Sequence, residues 1–384
     1  MANTLTGLIP DAYAALDVVS RELVGLIPSV GRNATLERAA VGQNVDYPIA
    51  PANVTANIAP GVTAPDTGDQ TIGYGQMTIA KAKASYFRWR GEETRGLDNG
   101  GPGFLTIQQD QIAQALRVLV NEIESDLAAL HVHFSRAYGT AGTTSFSTNL
   151  ADPANVRKIL DDNGAPASDR QLVINTTAGA NMRTLAQLTR ANEANDTTLL
   201  RQGTLLDIHG FAIRESAQIN TSTAGTAASA TTNSAGYAVG ATVITLASAG
   251  TGSLLAGDIV TFAGDSNKYV VESGDADVSN GGTFTLAAPG LRVAMSAATK
   301  AITVVGAAAR NMGFTRNAIQ LAQRLPALPD GGDAAADRTT ITDPRSGLSF
   351  EIAMYPQYRQ MLYEVSCAWG VKVIKPEHTA LLLG

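Results

Sequence analysis

The side chains able to do chemistry are few in this chain and poorly grouped. His131 and His133 form an H-x-H pair. On a helix, residues two apart point roughly 160° away from each other, so this pair cannot chelate one metal. His209 and His378 stand alone in sequence. Asp275-Ala276-Asp277-Val278-Ser279 begins like a calcium loop. It has Asn280 where the sharp turn needs glycine and Leu286 where a bidentate glutamate closes the site, so it fails as one. Cys367 is the single cysteine, which rules out an intramolecular disulfide. A catalytic thiol needs a nearby base. The run Tyr363-Glu364-Val365-Ser366-Cys367-Ala368-Trp369 reads instead as a strand, with Cys367 a small core residue. Glu92 and Glu93 beside Arg88, Arg90 and Arg95 form a charged rim rather than an acid–base pair. There is no GxxxxGK[ST] phosphate loop and no GxSxG elbow. The expectation is no catalytic residue, no cofactor and no bound metal.

Composition narrows the function classes further. The 384 residues suffice for two or three structural units with a real core. The net charge is −6 and only 16% of residues are charged, against ~25% in typical domains. Tight coating of nucleic acid needs clustered Lys and Arg, which this balance does not supply. The first residues lack a basic region followed by an apolar run, so no signal peptide is expected. The longest uncharged stretch, 216–257, is rich in Ser, Thr, Asn and Gly and is no membrane span. The expected setting is a cytoplasm, with no membrane partner.

The elements that must position these residues follow from periodicity. Residues 1–41 read as an arm with one helix capped by Asp11 and carrying Ala12, Leu16, Val19, Leu23 and Leu26. Val45, Tyr47 and Ile49 alternate as in a strand, a Pro/Gly-rich tip follows, and a second extended segment runs over 71–89. This is a long hairpin with arms of about 19 residues, reaching up to about 60 Å. The clearest helix is 107–138, with Ile112, Leu116, Leu119, Ile123, Leu127, Leu130, Phe134 and Tyr138 on one stripe. Thr106 and Gln109 fit a capping box and Gly139 a left-handed stop. At about 1.5 Å per residue the rod spans about 48 Å.

Residues 152–216 read as mixed α/β: a helix capped at Asp152 and stopped at Gly164, a strand over 171–175, a helix over 178–188 and a strand over 210–216. From Ala217 the signals turn to short strands and turns, at 242–246, 258–262, 268–271, 283–286 and 301–305. Residues 221–235 lack bulky apolar side chains and predict a mobile lead-in. Helix is then predicted over 314–324 and strand over 348–383. Interrupted α/β elements on both sides make the β segment an insertion, with termini close together.

In the order of its parts the chain resembles the major capsid proteins of tailed bacteriophages with the Hong Kong 97 coat fold, in particular those with an inserted β-barrel. The resemblance is carried by residues 203–213, ending Gly210-Phe211-Ala212-Ile213, and by Leu254-Leu255-Ala256-Gly257-Asp258-Ile259-Val260. Phe314-Thr315-Arg316-Asn317-Ala318-Ile319, Gly347-Leu348-Ser349 and Gly370-Val371-Lys372-Val373-Ile374-Lys375-Pro376-Glu377 extend it. It implies an α+β fold: N-terminal arm 1–41, extended hairpin loop 42–80, and peripheral domain 81–151 with spine helix 107–138. Axial domain 152–218, barrel 219–308 and a closing part 309–384 complete it.

The implied function is a self-assembling icosahedral shell of hexamers and pentamers. Scaffolding and portal proteins would be its partners, and double-stranded DNA would be enclosed without sequence-specific binding. Its location would be the virion, with the host cytoplasm during assembly. Asn57, Pro60, Gly61, Asp66, Arg88, Arg90, Glu92 and Glu93 are the expected intersubunit contacts. Some relatives crosslink their subunits, but Lys81 and Lys83 at the loop's base come with no identified partner. An encapsulin-like cage is the alternative, and a soluble β-rich binding protein a more distant one.

Overall fold

The computed structural model describes residues 25–49, 55, 57–58, 60–62, 69–98, 104–189, 207–342 and 347–384. The chain enters through a 3-10 turn (Ile27–Ser29) into β1 (Gly31–Ala39), β2 (Asn44–Ile49), β3 (Gly73–Thr78) and β4 (Lys81–Arg90). Helix α1 (Gly91–Asp98) precedes the long helix α2 (Phe104–Ala129), which tightens to a 3-10 turn (Leu130–His133) before β5 (Arg136–Tyr138). Next come α3 (Ala151–Asp162), β6 (Arg170–Ile174), α4 (Thr176–Thr184), α5 (Ala186–Thr189) and β7 (Phe211–Glu215). The β-rich stretch holds β8 (Thr221–Ser222), β9 (Val243–Leu246), β10 (Ile259–Phe262), β11 (Lys268–Ser273), β12 (Gly282–Leu286) and β13 (Ile302–Val304). β14 (Ala308–Thr315), β15 (Ile319–Pro326), β16 (Asp337–Thr342), β17 (Ser349–Gln357), β18 (Gln360–Val373) and β19 (Thr379–Leu383) close the chain.

One sheet runs β1-β15-β18-β17-β16. β17 pairs the first half of β18 and β15 its second half, while β4 pairs residues 360–369 along the opposite edge. The long helix lies across β18 and β4. Its polar anchors are Trp89 Nε1 donating to Gln111 Oε1 (2.7 Å) and Trp369 Nε1 donating to Asp126 Oδ2 (2.9 Å). The predicted stripe from Ile112 through Phe134 is buried in the main core. Glu124, on the same helix, is fully buried and accepts the backbone N–H groups of Leu26 (2.7 Å) and Ile27 (3.0 Å), tying the entering chain to the helix.

The second sheet runs β13-β10-β11-β5-β19-β14-β6-β7, with β12 bridging β11 and β9 and β8 on β14. The β-rich stretch thus joins the body through β11–β5, where Lys268 pairs with Ala137 and Tyr269 with Arg136. It has its own core, including Ile244, Leu246, Val260, Phe262, Phe284 and Ile302. Ile259 and Val270 point the other way, into the main core.

Several expectations change. The long helix stops at Ala129, not Tyr138, because residues 136–138 are drawn into the second sheet between β19 and β11. Gly139 is left-handed (φ 106°) but follows that strand, not the helix. Thr106 lies inside the helix, which begins at Phe104, and so does not cap it. Asp152 is likewise within α3, and its carboxylate accepts the N–H of Phe146 (2.7 Å). The predicted helix 314–324 is two strands: β14 is buried along its whole length and β15 nearly so. Strands covered on both faces lose the period of two that marks a half-exposed strand.

The 221–235 lead-in is held by backbone hydrogen bonds, Ala228 with Thr251 and Thr232 N–H to Lys300 among them, with Ala230 buried. The hairpin's second arm is not continuous. β3 ends at Thr78, Ile79 is buried, and β4 joins another sheet. A side chain at Gly370 would collide with the Thr78 carbonyl, so the break sits where the chain passes tightly over β18. The helix expected after Asp11 lies outside the described residues.

Candidate functional site

Fourteen large apolar side chains are exposed among the described residues. Eight of them, Leu36, Val41, Ile49, Ile58, Val62, Ile72, Tyr74 and Tyr86, fall between positions 36 and 86. This concentration falls on β1, the β2–β3 ribbon with its connecting residues, and β4.

The ribbon is short and has little to lie on. Val45 faces Met77, Tyr47 faces Gly75 and Ile49 faces Gly73 across the antiparallel pair. The Tyr47 ring lies where a side chain at position 75 would stand. Val45, Tyr47 and Met77 pack on a small cluster with Ala39, Ile79, Ala322 and Ala368. Beyond that cluster the ribbon is bare, with Ile72 72% and Tyr74 69% exposed. Asn57, Pro60 and Gly61 are exposed, with Ile58 and Val62 between and beside them fully exposed. Asp66 lies outside the described residues.

The ribbon's base is fixed by charge and backbone bonding. Lys81 Nζ donates to Asp126 Oδ1 (2.7 Å) and Glu122 Oε1 (3.1 Å), and Lys83 pairs with Glu122. Burial alone raises the Glu122 carboxyl, but the Lys83 and Lys81 hydrogen bonds outweigh it and hold the carboxyl below its ordinary range. The Asp126 hydrogen bond pushes the Lys81 ammonium up, against a smaller opposing effect of burial. Lys372 Nζ donates to the Gln76 carbonyl (2.7 Å) and sits 5.8 Å from the centre of the Tyr47 ring. The lysines that sequence left without partners are therefore paired to the long helix.

At the opposite end of β4 the remaining predicted contacts meet residues that periodicity had not singled out. Arg88 pairs across from Leu362 and Arg90 from Gln360. Glu93 accepts the Arg90 backbone N–H (2.9 Å) and Thr94 Oγ1 donates to the Arg90 carbonyl (3.1 Å), which fixes the start of α1. Tyr358 and Arg359 form the two-residue turn joining β17 to β18, where Gln357 pairs with Gln360. Arg359 is left-handed (φ 57°) and its guanidinium carbon lies 5.7 Å from the centre of the Tyr358 ring. Arg90, Tyr358 and Arg359, together with Trp89, Glu92, Arg95, Met361 and Tyr363, line an open groove of about 930 Å³, while Arg88 and Glu93 do not line it. The sequence signal for the turn was Tyr355-Pro356-Gln357-Tyr358-Arg359-Gln360, polar residues between two alternating runs.

The chemical candidates are placed elsewhere. His131 Nδ1 is 3.0 Å from the Ala128 carbonyl and His133 Nδ1 is 3.0 Å from Glu272. Burial holds the His131 ring below its ordinary range. Asp277 accepts from the N–H and hydroxyl of Ser279 (3.0 and 2.7 Å), a local turn. Cys367 is buried in the main core, and burial pushes its thiol up. Among the described residues no three or more His, Cys, Asp or Glu side chains are grouped to hold a metal. No described helix is long and apolar enough to cross a membrane.

No protein-family model matches the chain, and no curated protein matches it in sequence. Solved structures do. The chain is similar to one titled Mycobacterium phage Che8, at 12% identity and a TM-score of 0.44, covering 90% of this chain and 85% of that one. It is similar to a chain in the capsid structure of the cyanophage P-SCSP1u, at 12% identity and a TM-score of 0.47, covering 92% and 86%. It is also similar to a chain in the capsid of the native GTA particle, at 11% identity and a TM-score of 0.47, covering 94% and 90%.

Proposed function

We propose that this chain is the major capsid protein of a tailed bacteriophage, assembling as hexamers and pentamers into an icosahedral shell around double-stranded DNA. Its role is structural rather than enzymatic. In this reading residues 42–80 are the extended loop, α2 the spine of the peripheral domain, and 219–308 a unit inserted in the axial domain. Scaffolding and portal proteins are its further partners, the virion its final location and the host cytoplasm its place of assembly.

The observation that carries the reading is the ribbon with its flanking strands. A two-stranded ribbon is marginal alone in water, yet this one keeps Ile49, Ile58, Val62, Ile72 and Tyr74 exposed. A second copy covering it removes that apolar surface, and repetition around a shell makes each weak contact cumulative. The low charge and acidic balance suit a wall that encloses DNA without adhering to it.

The test is negative-stain microscopy of the purified protein, followed by nuclease treatment of the particles. Closed shells of uniform size are expected. Shells that form only around a protein cargo and never protect DNA favour a compartment instead, and a monodisperse monomer at high concentration rules out both.

A further inference from the structure

We propose that the cleft where the β-rich stretch meets β5 and α3 is a binding site for a phosphate-class oxyanion, held by Arg136, Lys158 and Lys268. It shares no residue with the groove beside Arg90 and does not depend on the shell reading.

The cleft follows from how the second sheet is built. β5 is drawn between β19 and β11, which sets Arg136 and Lys268 on neighbouring strands, and α3 packs on β5. Arg136, Asn155, Lys158, Asp162 and Lys268 are among the residues lining an opening of about 320 Å³. Lys158 and Asp162 stand one turn apart on the same face of α3. Asp162 Oδ2 nevertheless lies 3.7 Å from Arg136 Nη2, and Lys158 makes no ion pair among the described residues. Three cations therefore line the cleft with one carboxylate, an excess of two positive charges in a chain whose net charge is −6.

Arg136 is the fixed part of the site. Its side chain is only 4% exposed, and its Nη1 and Nη2 donate to Asn267 Oδ1 (3.0 Å) and Asn163 Oδ1 (2.9 Å). Its Nε is buried with no hydrogen-bond partner among the described residues. Burial holds the guanidinium below its ordinary value, and Asp162 offsets that only in part. Lys268 Nζ donates to the Gly139 carbonyl, and burial lowers this ammonium too. Asp265 does not line the opening, and its oxygens are taken by the Tyr269 hydroxyl (2.6 Å) and the Asn267 N–H (2.9 Å). Charge withdrawn from water is costly until an opposite charge meets it. A phosphate carries about −1.5 to −2 near neutral pH, which matches the excess. Guanidinium and ammonium groups make the strong charge-assisted bonds to phosphate oxygens, and the Thr140 and Ser266 hydroxyls on the lining add donors. Bound there, the anion would bridge β5 and α3 to the first residue of β11.

The experiment titrates inorganic phosphate into the purified full chain by calorimetry, with potassium chloride at matched ionic strength as control, and follows melting in parallel. Saturable phosphate binding is expected, with a melting temperature that rises with phosphate and not with chloride. Lys158→Gln and Lys268→Gln should each weaken phosphate about tenfold, the worth of one charge-assisted hydrogen bond. Lys158 is exposed, so its variant should keep the parent's melting curve without phosphate. Asp162→Asn removes the competing carboxylate and should tighten phosphate instead. Lys300→Gln, outside the cleft, should match the parent. An oligonucleotide without terminal phosphates should fail to displace phosphate, since each phosphodiester carries one charge; displacement would assign the same site to a nucleic-acid backbone. A response to phosphate no greater than to chloride, or parent-like affinity in both cleft lysine variants, overturns the inference.

Discussion

The ribbon and the β-rich stretch are both poor in charge and built of short strands, yet they bury themselves in opposite ways. The β-rich stretch wraps β9–β13 around a core that includes Phe262, Tyr269 and Phe284, with Phe262 stacked on Phe284 at 6.4 Å. Its strands β10 and β11 also turn a second face, through Ile259 and Val270, onto the core under the long helix. The ribbon has only the small cluster at Val45, Tyr47 and Met77, and its outer half faces solvent. A β segment needs a second layer. The β-rich stretch makes its own and borrows another, whereas the ribbon's outer half has none among the described residues, and in the proposed assembly a second copy supplies it.

That contrast can be broken most directly at the ribbon. Replacing residues 52–68 by a short Gly/Ser linker should abolish stable shells while changing subunit stability by less than about 0.5 kcal/mol, as for surface changes generally. Normal particles of unchanged heat resistance from this variant would show that the ribbon is not an assembly element.

Single truncations should separate the regions next. Phe284→Ala empties a fully buried site and is expected to cost about 3–5 kcal/mol in urea unfolding. Tyr74→Ala on the exposed ribbon should cost the subunit almost nothing and act on assembly alone. Equal losses from the two would erase the distinction drawn here.

The double attachment of the β-rich stretch predicts the behaviour of residues 217–310 expressed alone. A cooperative melt with a β-type circular dichroism spectrum is expected. Exposing Ile259 and Val270 should make it less stable than within the chain by roughly 3 kcal/mol, at about 1.5 kcal/mol per buried aliphatic side chain. A coil spectrum would show that its own core does not suffice.

The smallest effect concerns the charges that fix the ribbon's base. Because the folded-state carboxyl of Glu122 lies below its ordinary value, its contribution is present above the unfolded value and fades as pH falls through the folded one. Glu122→Gln should therefore lower stability at neutral pH by about 0.5–1 kcal/mol, the range for partly exposed pairs. The difference between the variants should vanish in acid. A difference that grows on acidification would mean that the pairing with Lys81 and Lys83 is not the cause.

The sequence by itself determined the elements whose pattern is local. The stripe from Ile112 to Phe134 marks the long helix because one face is buried and the other wet, and the structure buries those residues. The alternation of Val45, Tyr47 and Ile49 marked β2 for the same reason. Only the tertiary structure decided what depends on partners distant in sequence. It converted 314–324 into strands by covering both faces and ended the long helix early by recruiting Arg136–Tyr138 into a sheet. It set Lys81 and Lys83 on Glu122 and Asp126, and brought Tyr358 and Arg359 beside Arg90. Periodicity reports which side of an element meets solvent, and it carries no information about which distant strand will lie against the other side.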